Sequence, residues 1–141
     1  MGGGPSEHGY DNFDGVIGNA EGSLLEDLPN DPKRAFTITN SAVSWLTQQV
    51  NEGRPFYLQM SHFSVHKTTQ SRPDTIADYI ISRKGLRHTD ASFAAMLYDL
   101  HVSIGLLLSA IEKAEIDENT YDIFMSDNGS YSSIDNPSSA N

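Results

Sequence analysis

The sequence predicts an α/β protein, a partial α/β/α sandwich on a mostly parallel sheet, and three observations carry that expectation. Residues 56–63 carry Phe56, Leu58 and Met60 in alternation, and Ile123-Phe124-Met125 is a short apolar run, both patterns that fit pleated, buried strands. Between them lies a long stretch with apolar residues at steps of three and four, the period of a helix. A second helical pattern precedes the first run, so helix and strand alternate along the chain. Two buried strands joined through a long helix imply a right-handed crossover. Such a sheet takes helices on both faces, and the elements here hardly complete one, so the chain reads as the middle of something larger.

Length and composition narrow the possible functions. The 141 residues are enough for one domain with a core. Nine Lys and Arg stand against 19 Asp and Glu, a formal charge of -10. The basic residues form no dense stripe, which argues against nucleic acid and against an anionic membrane surface. A cation or metal fits such a balance better as a partner, although a solvated acidic surface is the commoner explanation. No apolar run in the sequence approaches transmembrane length. The absence of cysteine excludes disulfides, thiolate metal sites and a thiol nucleophile.

Residues 1–35 are rich in Gly, Asp, Asn and Pro and read as ordered loop, with a short strand at 13–17 and a turn at 30–32. Thr39 or Asn40 is the expected cap of a helix running to Glu52 and stopped by Gly53. Its apolar face is Val43, Leu46 and Val50, flanked by Ala42 and Trp45. The first strand follows, with Phe56, Leu58 and Met60 alternating onto one face. Residues 64–88 lose all pattern except a helical turn near Tyr79, and a connection this long is usually functional or disordered. Thr89 or Asp90 caps the long helix, which carries Phe93, Met96, Leu97, Leu100, Ile104, Leu107, Leu108 and Ile111 to about Ala114. Gly105 inside it costs helix propensity and is expected to allow close packing. The second strand ends at Ser126-Asp127-Asn128-Gly129, and a polar tail follows it.

The chemistry gathers at the carboxyl ends of the two strands, where open α/β sheets place ligands. Asp127 and Asn128 pair a carboxylate with an amide oxygen, hard donors suited to Ca²⁺ or Mg²⁺, although Asp-Asn-Gly is also an ordinary turn. His62 and His66 fall near the same edge, and a histidine there can donate to an anionic oxygen or protonate a leaving group. The plainer readings are a core-edge residue for His62 and an ordinary surface histidine for His66. His8, His88 and His101 have no convergent partners in the sequence. Ser126 lacks a visible base, so a Ser-His-Asp triad fits poorly.

Several stretches, taken in order, resemble the sulfatases of the alkaline-phosphatase-like superfamily. His8-Gly9-Tyr10-Asp11-Asn12-Phe13-Asp14-Gly15 resembles the HGFD-x-F-x-G segment of that family. Pro55-Phe56-Tyr57-Leu58-Gln59-Met60-Ser61-His62-Phe63-Ser64-Val65-His66 resembles its PFFLYLSHxAVH strand and active-site histidine. Phe93-Ala94-Ala95-Met96-Leu97-Tyr98-Asp99-Leu100 resembles the helix that leads to its metal site. Asn119-Thr120-Tyr121-Asp122-Ile123-Phe124-Met125-Ser126-Asp127-Asn128-Gly129 resembles NTxVIFTSDNG.

The resemblance implies an internal fragment, 1–141, of a sulfatase catalytic domain with the alkaline-phosphatase-like fold. Its parts would be a loop-rich segment 1–35, helix and strand 36–63, an active-site loop 64–88, a long helix, strand and metal turn 89–129, and a tail 130–141. It implies Ca²⁺ on Asp127 and Asn128, His66 as the catalytic contact to the sulfate group, and His66 with Lys67 on the substrate, a sulfated small molecule or glycan. The family's nucleophile is a formylglycine made within C/S-x-P-x-R. That motif is absent here, as are the paired aspartates, the Gly-Lys-x-His segment and a downstream lysine. Where relatives carry Pro shortly after the histidine, this chain has Lys67-Thr68-Thr69. Two alternatives stand beside the sulfatase: a phosphatase or phosphodiesterase of the same superfamily, and a truncated, non-catalytic Ca²⁺-binding or interaction module. The remainder of a sulfatase domain is then the expected protein partner.

Overall fold

The computed structural model describes residues 3–14, 30–66, 68–82 and 90–129. They form three α-helices, α1 (Ala35–Asn51), α2 (Pro73–Ser82) and α3 (Ala91–Lys113), with short 3₁₀ turns at Pro5–His8, Pro32–Arg34 and Asp117–Asn119. α3 is the centre, packed by α1 and by α2. Among the described residues there is no strand, so the expected α/β sandwich is not the architecture seen.

The reason lies in pairing. A strand exists only when a neighbour takes up its N–H and C=O groups, and the two apolar runs do not pair with each other. Residues 54–63 are extended and keep the anticipated period of two: Phe56, Leu58, Met60 and His62 are half-buried, whereas Tyr57, Gln59 and Ser61 are exposed. Side chains hold this segment instead. Phe56 meets Trp45 of α1 edge-to-face at 5.7 Å, and Tyr10 donates its hydroxyl to Gln59 Oε1. The second run departs further from expectation. Tyr121, Ile123, Phe124 and Met125 are 77–97% exposed rather than buried.

α1 begins earlier than Thr39 or Asn40 would have it. The Asp31 carboxylate reaches across the Pro32–Arg34 turn and accepts from Phe36 N at 2.9 Å, Thr37 N at 2.7 Å and Thr37 Oγ1 at 2.6 Å. Two main-chain donors that the first helical turn leaves open are thereby satisfied, together with the Thr37 hydroxyl. The turn itself is tight, with Lys33 and Arg34 at φ 61° and 52°, a region that side chains with a Cβ seldom occupy. The buried face is Ala35, Thr39, Ala42 and Leu46, one step from the Val43 and Val50 expected. Gly53 ends the helix at φ 64°, its N–H bonded to Val50 O and that of Arg54 to Gln49 O, each at 3.0 Å.

α3 starts as anticipated, with Asp90 Oδ1 accepting from Phe93 N at 2.9 Å. Contrary to the expectation that no stretch approaches transmembrane length, α3 is long and apolar enough by length and composition to cross a membrane; in this structure α1 and α2 pack against it. It buries Ala95, Met96, Asp99, Leu100, Ser103 and Ile111, while Leu97 and Leu108 of the expected stripe stay half exposed. Ala95 and Ser103 have no exposed surface, so these small side chains are where α3 is most closely covered. Gly105 is not: it is exposed, and a Cβ built there meets nothing within 4 Å. The expected close packing at Gly105 is therefore absent. Gly105→Ala should stabilise the chain by about 1 kcal/mol through helix propensity, read as a rise in urea midpoint; a fall would mean that a partner packs there.

α2 extends the helical turn expected near Tyr79 back through ground that otherwise reads as loop. Pro73 stands at its first position, where the missing N–H costs nothing and the fixed φ suits a helix.

Candidate functional site

The sequence-identified residues stand in two places. His66 is exposed, in a turn closed by its own N–H bonding to Phe63 O at 2.9 Å. Phe63 is 7% exposed and roots that turn in the core. Lys67, assigned with His66 to the substrate, lies outside the described residues. Asp127 and Asn128 form an exposed bend at the end of the second extended run, and Ser126 Oγ donates to Asn128 O at 2.6 Å across it. His88 also lies outside the described residues.

For a calcium ion the donor chemistry of Asp127 and Asn128 is right, since both offer hard oxygen. Ca²⁺ takes about six to eight oxygens, and among the described residues no group of three or more His, Cys, Asp or Glu converges on a possible ion. The pair fits as part of a coordination shell.

Of the described histidines, His62 has the most altered environment. It is half-buried, and among the described residues neither ring nitrogen has a hydrogen-bond partner or contact with solvent. Burial holds its imidazole below the ordinary 6.5, against the opposing pull of the Asp31 carboxylate. A ring with no acceptor for an N–H is a poor place for a second proton. The unfolded chain therefore binds more protons than the folded one as pH falls through 6.5, and stability drops on acidification. The thermal midpoint should fall between about pH 7.5 and about pH 5.5, and His62→Phe should flatten that fall. An unchanged slope in the variant would assign the acid sensitivity elsewhere.

One cluster escaped sequence reasoning. Asp99, 4% exposed in the middle of α3, accepts Arg72 N at 3.1 Å, Arg72 Nε at 2.9 Å and Thr75 Oγ1 at 2.9 Å. The Arg72 guanidinium also lies 4.8 Å over the Phe36 ring of α1 and 3.7 Å from Asp74. The available signal was the spacing: Asp99 is three residues from Met96 and four from Ala95, an acid on the face of a helix that the core claims.

The comparisons bear out the resemblance to the sulfatases. The chain is 33% identical over 118 residues to a sulfatase of Formosa agariphila, a match that takes in 77% of this chain and 21% of that protein. The chain thus corresponds to about a fifth of the curated relative it matches. No protein-family model matches it.

Proposed function

We propose that this chain is part of a sulfuric ester hydrolase, a sulfatase that cleaves the sulfate ester of a small molecule or glycan. The similarity to a sulfatase through 77% of the chain supports this reading. His66 and the Asp127-Asn128 pair both stand in stretches that resemble the family's motifs.

Asp127 through its carboxylate and Asn128 through its amide oxygen would hold one Ca²⁺, with further ligands from beyond this chain. When bound, the cation supplies positive charge that polarises the sulfate group. His66 donates an imidazole N–H to the ester, where it steadies the charge that builds on oxygen or passes a proton to the departing alcohol as its S–O bond breaks. The Lys67 ammonium, next in sequence, adds a positive charge for the anionic substrate. The chain contains no C/S-x-P-x-R motif, so the formylglycine nucleophile of this reading comes from outside these residues. Positioning and electrostatics require the whole constellation.

Calorimetric titration with CaCl₂ tests the metal half. An incomplete shell should bind with Kd on the order of 10⁻⁴–10⁻³ M, and Asp127→Ala should abolish that binding. Equal Ca²⁺ affinity in the variant would sink the assignment. The 141-residue chain alone should turn over no aryl sulfate, and measurable release of the alcohol would show that a nucleophile is already present.

A further inference from the structure

We propose that Asp99 is a positioning residue for the segment between Phe63 and Arg72, and through that segment for His66. The inference rests on the assignment of His66 to the sulfate ester. The segment leaves the core at Phe63, makes the His66 turn and enters α2 at Arg72, whose carbonyl accepts from Ile76 N at 3.0 Å. Its far end is tied by more than the helix it enters. Asp99 engages the Arg72 main chain through Oδ2 and its side chain through Oδ1. Thr75, itself 5% exposed, donates to Oδ1 as well.

A carboxylate at this place on α3 is costly unless every lone pair is used, and an apolar residue of similar size would pack the helices at less cost. Directional bonds supply what packing lacks, a defined seat for Arg72. The guanidinium carries that seat to the other helices, stacked on Phe36 of α1 and paired with Asp74 of α2. Arg72 is thus referenced to all three helices, and the segment bearing His66 is fixed at both ends: Phe63 in the core and Arg72 on Asp99. Without the Asp99 carboxylate the near anchor stays and the far one loosens, so His66 loses its fixed position while the helices persist.

The test compares the wild-type chain with Asp99→Asn, which keeps the volume and removes the charge. Amide hydrogen exchange is followed at 64–66 and 68–71 and, as reference, in α1. The His66 imidazole resonance is titrated with inorganic sulfate. Exchange in the segment should quicken about tenfold, with α1 unchanged and the sulfate Kd at His66 raised by a similar factor. Unchanged exchange in the segment, or exchange that quickens equally in α1, would overturn the proposal. Should Asp99→Asn fail to fold, Arg72→Gln breaks the same link from its more exposed side and is read in the same way. A wild-type His66 that ignores sulfate would refute its assignment to the ester, whereas the exchange arm judges the anchoring by itself.

Discussion

Leu46→Ala is expected to cost about 3 kcal/mol of folding free energy, the middle of the range for emptying a buried leucine site. Leu46 is 1% exposed on the buried face of α1, which packs against α3, and among the described residues it and Met96 are the largest apolar side chains buried almost completely. A backbone held by two helix contacts has little means of collapsing around the void, so the transfer and cavity costs both apply. Urea unfolding followed by far-ultraviolet circular dichroism would show the loss as a lower midpoint at constant slope. Domains are stable by about 5–15 kcal/mol in all, so the variant should unfold well below the wild type. A change under about 1 kcal/mol would show that the α1–α3 contact is not the structural core.

Asp31→Ala should cost about 1–2 kcal/mol, the upper part of the range for losing a helix cap. The single carboxylate serves two main-chain donors and the Thr37 hydroxyl, and alanine leaves all three without it. Asp31→Asn keeps an acceptor and should recover part of the loss. The two variants share a second consequence. Asp31 draws the His62 imidazole upward against the effect of burial, so removing its charge leaves His62 still harder to protonate and the fold more sensitive to acid. Midpoints measured across pH for both variants and the wild type separate the cap from the charge. An Asp31→Ala chain as stable as the wild type would mean that α1 is started by its packing rather than by this carboxylate.

Helices were largely legible in the sequence. Asp90 is a side-chain cap placed directly before an apolar-periodic run, and Gly53 is the residue that a left-handed stop requires; both act locally, and both stand where they were expected. α1 was misplaced at its start because Asp31 caps it from across a turn, a relation between positions too far apart for a local pattern. Of α2 only the turn near Tyr79 was legible, because its start lies in a polar stretch that reads as loop, although the proline there is at home in a first turn. The strands failed for another reason. Alternation at Phe56, Leu58 and Met60 reports which side chains face inward, and that half held; pairing depends on what lies alongside, which no local pattern contains. The run at 122–125 was composed for burial, yet the described residues offer it no cover. Of the candidate site, residue types and motif order were readable. The Arg72–Asp99 link was not, because its partners are brought together only when α2 folds onto α3.

The uncovered Ile123-Phe124-Met125 run also governs how the protein behaves at high concentration. Asp122 and Asp127 bracket it, acting as gatekeepers that set like charges beside the region where two copies would otherwise adhere. The formal charge of -10 adds a general repulsion between molecules. Salt screens that repulsion within a few ångströms at molar strength, while sulfate and phosphate salts strengthen apolar association. Concentrated salting-out buffers, a common route to a pure stock, thus remove the colloidal protection and leave the adhesive surface; dilute, low-salt solution keeps the chains apart.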